Sequence, residues 1–135
     1  MSDIYVDTSA LLSLLDRDDA RHEAVVDALS GLADDRAHLI TTSYTIVESG
    51  ALVRRRLGVK SFNALGRVIS DSVEIVWVDS DLHWRAWRQA GKSAGRGPGL
   101  VDWVGIITMQ DLKIKTALAL DRHFQKQGFA TVPDL

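Results

Sequence analysis

The chain has 135 residues, a formal net charge of −2 and no cysteine. That length suits one domain with one hydrophobic core, and 46% hydrophobic with 25% charged residues is ordinary globular usage, which excludes global disorder. Disulfides and thiolate metal centres are excluded. Neither a secretory leader nor a bilayer span is expected: the start, Met-Ser-Asp-Ile-Tyr, has neither a basic nor an apolar region, and no apolar run nears the roughly 18 residues a span requires. A soluble, cytoplasmic protein is expected.

Taken in order, short apolar runs alternate with helical periodicity. Ile4-Tyr5-Val6 predicts a buried strand. Thr8 or Ser9 can cap a helix through Leu15, and Asp18 or Asp19 can open another carrying Val25, Val26, Leu29 and Leu32. Leu39 to Thr42 predicts a second strand. Helical spacing follows from Tyr44 to Leu57, stopping before Gly58, and again from Ser61 to Ile69. Val73 to Val78 is the strand richest in β-branched residues, and Asp79 to Gly91 is a helix rich in tryptophan. Gly91 to Gly99 reads as a loop. Leu100 to Leu112 predicts a helix and Thr116 to Leu120 a strand. A short helix and a last strand at Ala130-Thr131-Val132 close the chain. Strands alternating with helices imply an α/β fold: one domain over residues 1–135, with a parallel sheet of four to five strands flanked by helices in three layers. In such sheets, sites form at the carboxyl ends of the strands.

Acids stand at those ends. Asp7 follows the first strand and Asp121 follows Thr116 to Leu120. Each could equally be a helix N-cap, which contributes about 1 kcal/mol. Glu48 has Tyr44, Ala51 and Leu52 as helical neighbours, which places a carboxylate on or beside an apolar stripe, although Arg55 could reach toward it. Asp102 lies in Leu100-Val101-Asp102-Trp103-Val104-Gly105, where a charge is costly unless paired, and Gly105 leaves space beside it. It could instead serve the helix dipole. Asp79 is set aside as the cap of its helix. Gathered in one pocket, four carboxylates need protons or a cation, and all-oxygen ligands favour Mg²⁺ or Mn²⁺ over zinc. The histidines (22, 38, 83 and 123) lack paired metal spacing, and only His123, close to Asp121, is a candidate neighbour of the site.

These segments together resemble PIN-domain ribonucleases, in particular the VapC-like toxins of bacterial toxin–antitoxin pairs. The resemblance is carried by Tyr5-Val6-Asp7-Thr8-Ser9-Ala10, by Val47-Glu48 with Leu52 and Arg54-Arg55-Arg56-Leu57-Gly58, by Leu100-Val101-Asp102, and by Ala117-Leu118-Ala119-Leu120-Asp121-Arg122-His123-Phe124 with Gly128-Phe129 behind. It covers nearly the whole chain. It implies a catalytic, metal-binding cluster of Asp7, Glu48, Asp102 and Asp121 supported by the hydroxyl of Thr8 or Ser9. It also implies Mg²⁺ or Mn²⁺ as cofactor, an RNA substrate, a small antitoxin partner and a homodimer. Two positions depart from the pattern: Ala119 where a hydroxyl is common, and Trp103 where smaller residues are common.

The implied reaction is hydrolysis of RNA phosphodiester bonds by metal-activated water, leaving a 5′-phosphate and a 3′-hydroxyl. Asp7 and Asp102 are the first choices for direct ligands. Cations for RNA are Arg54 to Arg56, Lys60, Arg85, Arg88, Lys92, Arg96, Lys113 and Lys115, about half of them a solvated face. Trp84, Trp87 and Trp103 could stack on bases but fit a core or dimer interface better. A receiver-like phosphoacceptor domain is the alternative in another class, with Asp79 as acceptor. Against it, Asp7 has no acidic neighbour and no lysine follows a late strand suitably. An inactive PIN-fold binding module is the third reading, and the intact acids argue against it.

Overall fold

The computed structural model describes residues 2–134. Five parallel strands form one sheet in the order β3-β2-β1-β4-β5. They are β1 (Asp3–Val6), β2 (His38–Thr42), β3 (Val73–Val76), β4 (Thr116–Leu118) and β5 (Ala130–Val132). The helices are α1 (Thr8–Leu15), α2 (His22–Asp34), α3 (Ser43–Leu57), α4 (Val59–Ser72), α5 (Ser80–Lys92), α6 (Leu100–Leu112) and α7 (His123–Lys126). No described helix is long and apolar enough to cross a membrane.

Strand alternation divides the core. Side chains two apart on β1 share a face, so Ile4 and Val6 join Leu11, Val25, Val53, Leu65 and Ile69 beneath α1 to α4. Tyr5 points the other way and packs with Ile106 and Met109 of α6 and Phe124 of α7. Helix α5 is an outer element, resting on α6 through Leu82, Ala86, Val104 and Ile107. The three expected layers are therefore present, with β1 in the middle of the sheet.

The boundaries moved where side chains took over backbone hydrogen bonds. Asp7 caps α1 rather than Thr8 or Ser9: its carboxylate accepts from Ser9 N at 3.2 Å. Helix α2 begins at His22, because Asp19 Oδ1 accepts from Arg21 N at 2.8 Å and holds a turn ahead of it. Helix α4 is longer at both ends than its apolar spacing suggested, and Gly58, at φ 93°, makes the sharp joint between α3 and α4 that a side chain would strain. Strand β3 stops at Val76, since Val78 N donates to Ser43 Oγ at 3.0 Å. Strand β4 stops at Leu118, and Leu120 N donates to Ser9 Oγ at 2.9 Å.

Gly105 is not flanked by open space. A Cβ there would lie 2.8 Å from the Tyr5 ring and hydroxyl. The Tyr5 hydroxyl hydrogen-bonds Thr45 Oγ1 at 3.0 Å and Thr42 Oγ1 at 3.3 Å, and burial pushes its pKa up to about 12, so it stays neutral. The small residue lets α6 close on the sheet and brings Asp102, one turn earlier, toward β1. Gly105→Ala should therefore cost about 1–3 kcal/mol by overpacking. Gly31→Ala, on α2 with nothing within 4 Å of its Cβ, should instead stabilise by up to about 1 kcal/mol. Urea midpoints of the two variants check both signs.

Candidate metal centre

Three acids meet where β1 and β4 end. Asp7 stands at the junction of β1 and α1 and is 2% exposed. Asp102 lies in the first turn of α6 and Asp121 beyond β4, both half-buried. Ligand oxygens of these three lie within 4.8 Å of one another. Glu48 on α3 is half-buried and outside that trio, but near enough to Asp102 to act on it electrostatically. Among the described residues, no lysine or arginine makes an ion pair with any of the four.

Each of the three converging acids spends one oxygen on structure. Asp7 Oδ2 accepts from Ser9 N and, at 2.6 Å, from Ser9 Oγ. Asp102 Oδ2 accepts from Gly99 N at 3.0 Å, and Asp121 Oδ1 accepts from His123 N at 3.0 Å. Capping and clustering, rival readings of the sequence, hold together for Asp7. Asp7 Oδ1, Asp102 Oδ1 and Asp121 Oδ2 have no hydrogen-bond partner among the described residues. Ser9 also ties the cluster together, because the hydroxyl that donates to Asp7 accepts from Leu120 N. It supplies the hydroxyl near Asp121 that Ala119, fully buried, cannot. Thr8 Oγ1 is buried without a partner.

The electrostatics favour an added positive charge. At an effective dielectric near 20, two carboxylates no more than 4.8 Å apart repel by at least about 3 kcal/mol. Burial, and then the Asp121 charge, push the Asp7 pKa from 3.8 up to about 7 despite the Ser9 hydrogen bonds. Burial also raises the Asp102 carboxyl, with the Gly99 N–H and His123 opposing it and Asp121 and Glu48 adding to it. A hard divalent ion with oxygen ligands at about 2.1 Å spans donors up to about 4.2 Å apart, so oxygens within 4.8 Å of one another are close to the reach of one ion. Free oxygens, missing counter-charge and spacing all fit Mg²⁺ or Mn²⁺.

Around this centre, Asp79 caps α5, its Oδ1 accepting from Leu82 N at 2.9 Å. Arg85 is held by both oxygens of Asp111 and is not free for RNA. Trp84 and Trp87 are not in the core: they are 52% and 53% exposed, Trp84 edge-on and Trp87 tilted against His83, whose Nδ1 hydrogen-bonds the Tyr44 hydroxyl. Tyr44 precedes Glu48 by one helical turn. Sequence patterning gave no sign of this link, since a tyrosine–histidine pair 39 positions apart leaves no local signal.

A family model for the PIN domain matches residues 4–130. The chain belongs to the PIN-domain family. This PIN-domain protein is 29% identical to Ribonuclease VapC26 of Mycobacterium tuberculosis strain H37Rv, over 90% of this chain and 89% of the relative. It superposes on the crystal structure of VapC20 from the same species, described as a sarcin-ricin loop cleaving toxin, with a TM-score of 0.82 and 27% identity over 94% and 96% of the two chains. A chain of VapBC2 from Rickettsia felis, solved on a promoter DNA fragment, shares the fold at a TM-score of 0.67 and 11% identity, over 96% of each chain.

The raised Asp7 pKa sets a pH dependence. The folded state holds this proton more tightly than the unfolded one, so the metal-free protein gains stability from Asp7 at low pH. That gain is lost as pH rises from about 4 to about 7. Asp7→Asn removes the loss. In EDTA, its stability relative to the parent should rise through that window and level off above pH 7 at a few kcal/mol in favour of the variant, read by urea denaturation.

Proposed function

We propose that this protein is a divalent-metal-dependent endoribonuclease acting in the cytoplasm as the toxin of a toxin–antitoxin pair. The observation that carries the reading is the convergence of Asp7, Asp102 and Asp121, each with a free oxygen and none paired with a lysine or arginine among the described residues. Kinship to a named ribonuclease and a named toxin supports RNA as the substrate and toxicity as the role.

A bound Mg²⁺ or Mn²⁺ would supply Lewis acidity at the scissile phosphate and make a water there more acidic. Asp7 and Asp102 would hold the ion with their free oxygens, while Ser9 and Gly99 keep the other oxygens from turning away. Asp121 completes the ring, oriented by the His123 N–H. Glu48, set back on α3, orients water between the ring and the substrate. The low exposure of Asp7 limits bulk water around the scissile phosphate. In-line hydrolysis leaves a 5′-phosphate and a 3′-hydroxyl.

Two surfaces suit the protein partners. The exposed side of α3 and α5, with Val47 (71% exposed), Trp84 and Trp87, is an apolar face for a second copy of the chain. It adjoins Glu48, so a homodimer through it would set two metal centres along one cleft. A separate apolar groove, lined by Leu29, Leu32, Ala33, Leu39 and Val68, fits an amphipathic antitoxin helix.

Asp7→Asn should abolish Mg²⁺- or Mn²⁺-dependent RNA cleavage and relieve growth arrest while keeping the fold. Glu48→Gln should lower turnover by about 10²–10³. Full cleavage by Asp7→Asn, in a preparation free of host nuclease, would sink the assignment, and mapping cut sites across cellular RNA identifies the target. For the groove, Leu32→Glu should prevent co-purification with the antitoxin and leave cleavage intact. Loss of cleavage alongside binding would count against a separate docking site.

A further inference from the structure

Resting on the reading of the groove at Leu29, Leu32 and Val68 as the antitoxin's seat, we infer that this groove continues into a basic cleft. The antitoxin segment that fills both carries carboxylate side chains beside its apolar anchors. One face of α4 is the common wall: Lys60, Ala64, Val68 and Ser72 follow one another at i, i+4 spacing, with Arg67 alongside. Val68 and Ser72 line the apolar groove, while Lys60, Ala64 and Arg67 line a cleft of about 570 Å³. The far wall of the cleft is the end of α1, Leu14 and Leu15, and the turn after it, which supplies Arg17. Leu14 also borders a small apolar gap lined by Leu29, Leu39 and Val68 of the groove, so the two openings share a floor.

The cations there have no partners. Arg17, Lys60 and Arg67 are exposed, and among the described residues none of them makes an ion pair. Asp16 and Asp18 line the same cleft, with Asp16 Oδ1 accepting from Asp18 N. Three cations against two acids leave one positive charge. Helix α4 adds to it, because it opens at Gly58 with no side chain capping its first N–H groups. A carboxylate is the complement of such a cleft.

The shared apolar floor favours a protein segment over RNA as the occupant. So does position: α1 begins beside Asp7 of the metal centre, and the cleft lies at its last residues, about 10–12 Å along the helix. From Lys60 to Ser72 the two openings run about 18 Å along α4, room for about three turns of a partner helix. Arg67 adjoins Val68 and Lys60 lies about two turns from it, so the partner's acids fall within about two turns of its apolar anchors.

The test uses the full-length chain and, as probe, the product of the small open reading frame beside its gene. Combining Arg17→Glu with Arg67→Glu should weaken binding by about tenfold or more at low salt. The parent should lose affinity between about 50 and about 300 mM salt, and the double variant should lose little more. Both side chains are exposed, so the fold is kept. Changing one Asp or Glu of the probe to Lys should weaken binding to the parent and restore it to the double variant, which a merely structural role of the arginines would not produce. Binding of the double variant within about twofold of the parent overturns the inference. So does slower RNA cleavage with unchanged binding of the probe, which assigns the cleft to RNA. Failure of the wider reading looks different: Leu32→Glu retains the probe at parental affinity, and both proposals fall.

Discussion

Asp7 is held almost out of water, with two further carboxylates within 4.8 Å and no lysine or arginine paired with any of them among the described residues. A folded chain does not accumulate negative charge in a closed space for stability, because each neighbour at that distance costs several kcal/mol. The surrounding architecture is arranged to bear this cost. Ser9 donates to Asp7 and receives from the Leu120 N–H, so one hydroxyl binds the end of β1 to the segment carrying Asp121. Gly105 admits the Tyr5 ring against α6 and lets the start of that helix approach the same point. Both are packing decisions made in service of an electrostatic problem.

Sheet order explains how residues so far apart in sequence meet. Strands β1 and β4 are parallel neighbours at the centre of β3-β2-β1-β4-β5, so the chain leaves both at one edge and delivers Asp7 and Asp121 side by side. Helix α6 returns across the sheet with its first turn at that same edge, which adds Asp102. Glu48 comes from the second turn of α3, after β2, and its greater distance follows from the extra helical rise.

Much of this was legible before any coordinates. An acid closing the apolar run Ile4-Tyr5-Val6 and another after Thr116 to Leu120 identified the edge, because strand periodicity is a local property. The four segments in order identified the family. What escaped was whatever depended on partners distant in sequence. Leu120 was read as strand, yet its N–H goes to a serine near the N-terminus. Gly105 read as vacant space and is filled by Tyr5 from the central strand. Trp84 and Trp87 read as residues of the core or a dimer interface, and α5, an outer helix resting mainly on α6, leaves them half-exposed. The acids themselves were ambiguous between cap and ligand, and for Asp7 the two are compatible, because one carboxylate oxygen makes the cap and the other has no partner among the described residues.

That division within single side chains has an evolutionary consequence. An amide in place of a carboxylate keeps a carbonyl-type acceptor for the cap and discards the charge. The scaffold's demand on Asp7 and the chemistry's demand are therefore separable by one atom. A gene of this kind under pressure to lose its toxicity need not lose its fold. A single-base change can leave a silent, well-folded copy with its outer helices unaltered.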